Sequence, residues 1–126
     1  MDVLADTAIF VDLLRNHQPA LQWRANQPHL IVAISPIVWM EIVQGAPDKS
    51  KQQHAVKFLK QFHMAQTMNT DIEWAMQQLQ TYHLSHNVGI MDCLIAAPAH
   101  RLQIPLLTHN VKHFSPMLGS LVQQPY

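Results

Sequence analysis

"LADTAIFVDLLRN", residues 4–16, decides how the rest of the chain is read. Leu4 and Ala5 close a short apolar run, Asp6 and Thr7 follow, and Ile9, Phe10, Leu13 and Leu14 then recur with helical spacing. A strand over residues 2–6 therefore hands over to a helix from about Ala8 to His17, with an acid at the junction. The pattern returns downstream. "HLIVAIS" (29–35) is an apolar, partly β-branched run and reads as a second strand. Ser35 and Pro36 then supply an N-cap and an N1 proline for a helix that ends near Gly45. "PALQWRANQ" (19–27) forms a short helix between the two units. Strands alternating with helices define an α/β domain with a largely parallel sheet. In open sheets of this kind, sites form beyond the carboxyl ends of the strands, which is where Asp6 stands.

Further along, residues 48–63 place Ala55, Phe58, Leu59 and Phe62 on one helical face, with lysines opposite. Residues 64–69 read as a short edge strand. Thr70 and Glu73 have capping-box spacing, with Ile72, Met76 and Leu79 following at helical intervals. "IMDCLIAAPAHRLQ" is a helix in which Pro98 predicts a kink or an early break. "IPLLT" (104–108) is the next strand, and "HNVKHF" begins as a turn or short helix. The last residues, 115–126, read as an irregular tail with one more edge strand.

At 126 residues the chain suits a single domain, 1–126, with one core. No apolar run approaches the roughly eighteen residues of a membrane span. "MDVLAD" lacks the basic and apolar regions of a secretory leader. A lone cysteine, Cys93, rules out an internal disulfide framework and fits a reducing cytoplasm. The formal net charge is zero with histidines neutral, so a large positive field is not the basis of any nucleic-acid binding.

Charged residues make up only 13% of the chain, which makes the setting of each acid informative. Asp6 alone would suit an N-cap or turn, although Thr7 could take the cap and free the carboxylate. Asp12 lies between apolar positions and is expected to face water. Glu41 is flanked by Ile37, Val38, Trp39, Met40, Ile42 and Val43, where an unpaired carboxylate is costly to bury. Asp92 repeats that pattern among Ile90, Met91, Cys93, Leu94 and Ile95, and a first-turn aspartate favoured by the helix dipole is its plainer reading. Together the three suggest convergence on a hard divalent cation, Mg²⁺ or Mn²⁺. His83-x-x-His86 and His109-x-x-x-His113 offer a rival zinc site, with no CxxC or HExxH beside them. Cys93 has the apolar neighbours of an inert thiol, and Ser35 lacks a nucleophile elbow.

Taken in order, "LADTAIFVDLLR", "ISPIVWMEIVQGA", "GIMDCLIAAPAH" and "PLLTHNVKHF" resemble the PIN-domain ribonucleases, in particular the VapC-like toxins of bacterial toxin–antitoxin pairs. The likeness runs from residue 3 to about 114. It implies a three-layer α/β/α domain whose acids hold Mg²⁺ or Mn²⁺ to cut RNA. By position, Asp6 and Asp92 resemble the direct ligands, and Glu41 the third acid, reaching the ion directly or through water. Thr7 and Thr108 resemble the supporting hydroxyl residues. Asn110 stands where many members carry Asp, which removes one charge and weakens a second metal. Pro98 and His100 depart from the small apolar residues usual after "LIAA". Arg15, Arg24 and Lys112 are candidates for the RNA backbone.

The chemistry implied is attack by activated water, leaving a 5′-phosphate and a 3′-hydroxyl without using the RNA 2′-hydroxyl. The resemblance also implies a homodimer and an antitoxin partner, for which Trp23, Trp39, Trp74 and Phe62 are candidate apolar surface. The alternative is a PIN-like module that binds RNA or protein with little turnover.

Overall fold

The computed structural model describes residues 1–126. Five strands, β1 (Val3–Ala5), β2 (Val32–Ile34), β3 (His63–Met64), β4 (Leu106–Leu107) and β5 (Val122–Gln123), form one sheet in the order β3-β2-β1-β4-β5. Every pairing is parallel. Val3 lies opposite Val32, Leu4 opposite both Ala33 and Leu106, and Leu106 opposite Val122. A parallel sheet covered on both faces needs apolar residues at successive positions, and β1, β2 and β4 are buried throughout.

Helices α1 (Thr7–Leu14), α2 (Gln18–Ala25), α3 (Pro36–Gln44) and α4 (Lys49–Leu59) carry the chain from β1 outward to β3. Helices α5 (Asn69–His86), α6 (Ile90–Leu102) and α7 (Val111–Leu118) bring it back across to β4 and β5. With right-handed crossovers, this double winding places the two helix groups on opposite faces, a three-layer α/β/α fold. The strand order reverses beside β1. The crevice between the carboxyl ends of β1 and β4 is the topological switch point.

Several expectations need correction. The strand expected over 64–69 is confined to His63–Met64, and α5 starts at Asn69. Its cap is Met68, whose N–H donates to Asp71 Oδ2 at 2.8 Å; Thr70 and Glu73 form no box. That start rotates the helix. Asp71 and Ala75 are buried, while Ile72 and Met76 point outward. Asp71 is held by Arg101 from α6 at 2.9 Å, so a buried ion pair outranks apolar spacing. Pro98 does not end α6, which continues to Leu102. Pro98 is fully buried, in a helix segment where Ala96, Ala97 and Ala99 are buried too. His100 stacks on Trp74 at 4.6 Å, so this departure from the family pattern joins α6 to α5.

The terminal stretch is more regular than a tail. Helix α7 runs to Leu118 through Pro116, a 3₁₀ turn covers Gly119–Leu121, and β5 pairs with β4. Gly45 ends α3 as expected, but at φ −77°, without using a left-handed conformation. Asp12 does not face water. It accepts the Tyr126 hydroxyl at 2.8 Å and pairs with Arg15 at 3.0 Å. No helix is long and apolar enough to cross a membrane.

Candidate active site

Asp6 is the first residue past β1 and is itself the N-cap of α1, so Thr7 does not take the cap and free the carboxylate. Its Oδ1 accepts the Thr7 N–H at 2.7 Å and its Oδ2 accepts the Thr108 hydroxyl at 2.8 Å. Thr108, fully buried just past β4, therefore ties the two switch-point strands together through the acid. The Thr108 hydroxyl in turn accepts the Asn110 N–H at 2.9 Å.

Glu41 reaches the same crevice from α3, where the Thr7 hydroxyl donates to its Oε1 at 3.4 Å. Asp92 arrives from the first turn of α6, its Oδ2 accepting the Gly89 N–H at 3.0 Å. The acids feel one another. Burial raises the Asp6 carboxyl above its ordinary value against the opposing bonds from Thr108 and Thr7, with the Asp92 charge adding to the rise. Burial, then the Asp6 charge, raises Glu41, with a further contribution from Asp92.

Three carboxylates from α1, α3 and α6 thus share one electrostatic neighbourhood. As they stand, no three acid, histidine or cysteine groups close on a single point. The donor set still fits a hard cation, because the oxygens are ionisable, their mutual repulsion is unrelieved, and the crevice is open to solvent.

The rival zinc pairs are split by their partners. His83 Nδ1 lies 2.8 Å from the Val88 carbonyl, and His86 pairs with Ser85. His109 packs on Tyr126 with its Nε2 3.8 Å from Asp12, whereas His113 faces Asp92 at 3.5 Å. Cys93 is buried, and burial followed by the Asp92 charge pushes its thiol up, away from a reactive thiolate.

Asn110 is exposed, with its amide Nδ2 3.1 Å from His113 Nδ1. In the sequence, His113 stands out only as half of a zinc-spaced pair. Its spacing from Asn110, i and i+3 across a helix start, is the signal in the sequence for their contact. Lys112 is exposed in the first turn of α7 beside Asn110. Arg15 borders a groove of about 690 Å³ whose walls also contain Thr7, Glu41, Lys51 and His54. Arg24 lies elsewhere. It donates to the Leu30 carbonyl at 3.0 Å and sits over the Phe62 ring, lining a second hollow. Trp23, Trp39 and Trp74 are half-buried against the core, and of the four expected surface residues only Phe62 is buried.

A five-stranded parallel sheet between two helical layers, with acids near its switch point, defines the class of α/β/α domains to which this chain belongs. The PIN domain family model matches residues 3–115, and the chain belongs to that family. It is similar to "Ribonuclease VapC1" of Rickettsia felis, 29% identical over 128 residues that cover 94% of this chain and 92% of that protein. It is likewise 29% identical to "Ribonuclease VapC10" of Mycobacterium tuberculosis over 124 residues, covering 94% and 90%. Among solved structures, a toxin–antitoxin complex from Klebsiella pneumoniae superposes with a TM-score of 0.81 at 28% identity, covering 99% of this chain and 98% of that one. VapBC2 from Rickettsia felis, bound to a promoter DNA fragment, shares the fold with a TM-score of 0.79 at 22% identity, covering 98% of each chain.

Proposed function

We propose that this protein is a divalent-metal-dependent endoribonuclease that hydrolyses RNA phosphodiester bonds as the toxin of a toxin–antitoxin pair. The observation that carries the reading is that Asp6, Glu41 and Asp92, from three separate segments, lie near enough at the carboxyl end of β1 for their charges to act on one another. Family membership and ribonuclease relatives covering nearly the whole chain support it. One sheet and one hydrophobic cluster support a single working domain over 1–126.

Asp6 and Asp92 are the direct ligands in this reading, with Glu41 completing the set directly or through water and Asn110 adding a neutral donor. A bound Mg²⁺ or Mn²⁺ supplies positive charge for the scissile phosphate and acidifies water for in-line attack. Thr108 and Thr7 orient Asp6 by bonding both of its oxygens, and Thr7 also steadies Glu41. The Gly89 N–H fixes Asp92. Arg15 and Lys51 along the groove, and Lys112 at the start of α7, hold the RNA backbone.

An antitoxin segment seated in that groove would touch Thr7 and Glu41 and exclude RNA. The toxin–antitoxin complexes among the structural neighbours support such a partner. A small antitoxin reading frame beside the gene would add to that support. A homodimer is supported by apolar side chains left outward on α3, α5 and α6, with Met40, Met76 and Ile90 at 52%, 67% and 59% exposure.

The test is cleavage of a mixed RNA pool with Mg²⁺, Mn²⁺ or EDTA. The expected result is metal-dependent fragments bearing 5′-phosphates. Cleavage that persists in EDTA, or RNA left intact with either ion, overturns the reading.

A further inference from the structure

We infer that His113 is a nitrogen donor to the active-site cation and biases the site toward Mn²⁺ over Mg²⁺, an inference that rests on the metal-dependent reading above. His113 stands in the first turns of α7 with Nδ1 3.5 Å from Asp92 Oδ2 and 3.1 Å from Asn110 Nδ2. Neighbouring ligands of an octahedral ion, each about 2.1 Å from it, lie about 3.0 Å apart. Nδ1 and Oδ2 therefore need to close by only about 0.5 Å to share one.

The bonding around the ring points the same way. His113 Nδ1 is the ring nitrogen turned to this side of the crevice, between the Asn110 amide and the Asp92 carboxylate. In the tautomer protonated on Nε2, the Nδ1 lone pair and the Asp92 Oδ2 would both be open to a cation placed between them. A cation satisfies both. Asn110 brings no charge to this side of the crevice, and the imidazole is the remaining strong donor beside Asp92. His109 is excluded from the role, since it is turned toward Asp12 and Tyr126.

The consequence is selectivity. Mg²⁺ seeks oxygen and gains little from imidazole, whereas first-row transition ions accept it. His113 thus decides which ion the site prefers, while the carboxylates decide that it binds one.

Pulsed electron paramagnetic resonance of the Mn²⁺-loaded protein reads the bond directly, through modulation from a coordinated ¹⁴N. The full chain should show this modulation, and His113→Ala should abolish it. The same variant should bind Mn²⁺ about tenfold more weakly. Its Mg²⁺ affinity, measured by competition, should change by less than about twofold. His113→Gln keeps a polar side chain of similar reach to support α7, and should also lose the nitrogen signal while remaining folded by circular dichroism. Wild-type protein that binds Mn²⁺ and cuts RNA without nitrogen modulation overturns the role of His113 alone. Modulation that survives in His113→Ala, or equal losses of Mn²⁺ and Mg²⁺ affinity, does the same. Failure of the wild-type chain to bind either ion overturns the metal-dependent reading as well.

Discussion

The Asp6 carboxylate is hydrogen-bonded on both oxygens, yet burial and the Asp92 charge hold its pKa above the ordinary 3.8. The raised folded-state value means that the neutral form favours folding. That contribution is fully present below the unfolded pKa and is lost as pH rises through the folded value. Glu41 is raised from 4.5 and carries the same sign. Asp6→Asn keeps an oxygen for the Thr7 N–H and removes the charge. In EDTA it should match wild type at pH 4 and be more stable at pH 7.5 in urea titrations; a variant that is less stable at pH 7.5 than at pH 4, relative to wild type, contradicts the repulsion argument. Asp92→Asn likewise keeps an acceptor for Gly89 N–H. It should lower RNA cleavage more than about a hundredfold with an unchanged circular dichroism spectrum.

At the scale of elements, ends and pairings carry most of the specific information. Helix α6 terminates at Gln103, which adopts φ 53° although it has a Cβ. Glycine favours that left-handed conformation, so Gln103→Gly should stabilise the fold by about 0.5–1 kcal/mol despite the lost bond to the His100 carbonyl. A lower denaturation midpoint would show that the side chain matters more than the backbone. Helices α5 and α6 are joined through Asp71, buried at 1% exposure and accepting from Arg101 and the Met68 N–H. Arg101→Ala leaves that carboxylate with its backbone partner only. The expected cost is about 2–3 kcal/mol in the same measurement, and a loss below about 0.5 kcal/mol would mean that water replaces the guanidinium.

The whole molecule couples its two helical layers through one crevice, so ligand binding there should act on global stability. A cation that binds only the native state raises the melting temperature with its concentration. Thermal melts should rise with millimolar Mn²⁺ in wild type and not in Asp6→Asn; equal shifts in both would point to a site elsewhere. Association belongs to this scale too. Ile72 and Met76, turned outward by the register of α5, leave an apolar face that one copy alone does not cover. Sedimentation at micromolar concentration should give a homodimer, and Met76→Glu should shift it toward monomer with secondary structure intact. A monomeric wild type would refute the dimer.

Strand–helix alternation, the Ser35-Pro36 helix start and the apolar runs of β1 and β2 were legible in the residues, because local periodicity and capping chemistry dictate them. So was the prominence of Asp6, Glu41 and Asp92, since a scarce charge among apolar neighbours stands out without a structure. The capping box of α5, the continuation of α6 through Pro98, the half-buried Asp12 and the buried Asp71 were not legible. The two acids depend on partners distant in sequence, Arg101 for Asp71 and Tyr126 for Asp12. His113 belongs with them. Its distance from Asp92 exists only because α6 and α7 pack side by side over the returning strands. Local sequence determined which elements form and which acids are unusual; tertiary packing alone decided which side chains meet, because contacts across the sheet are made by strand order and helix register.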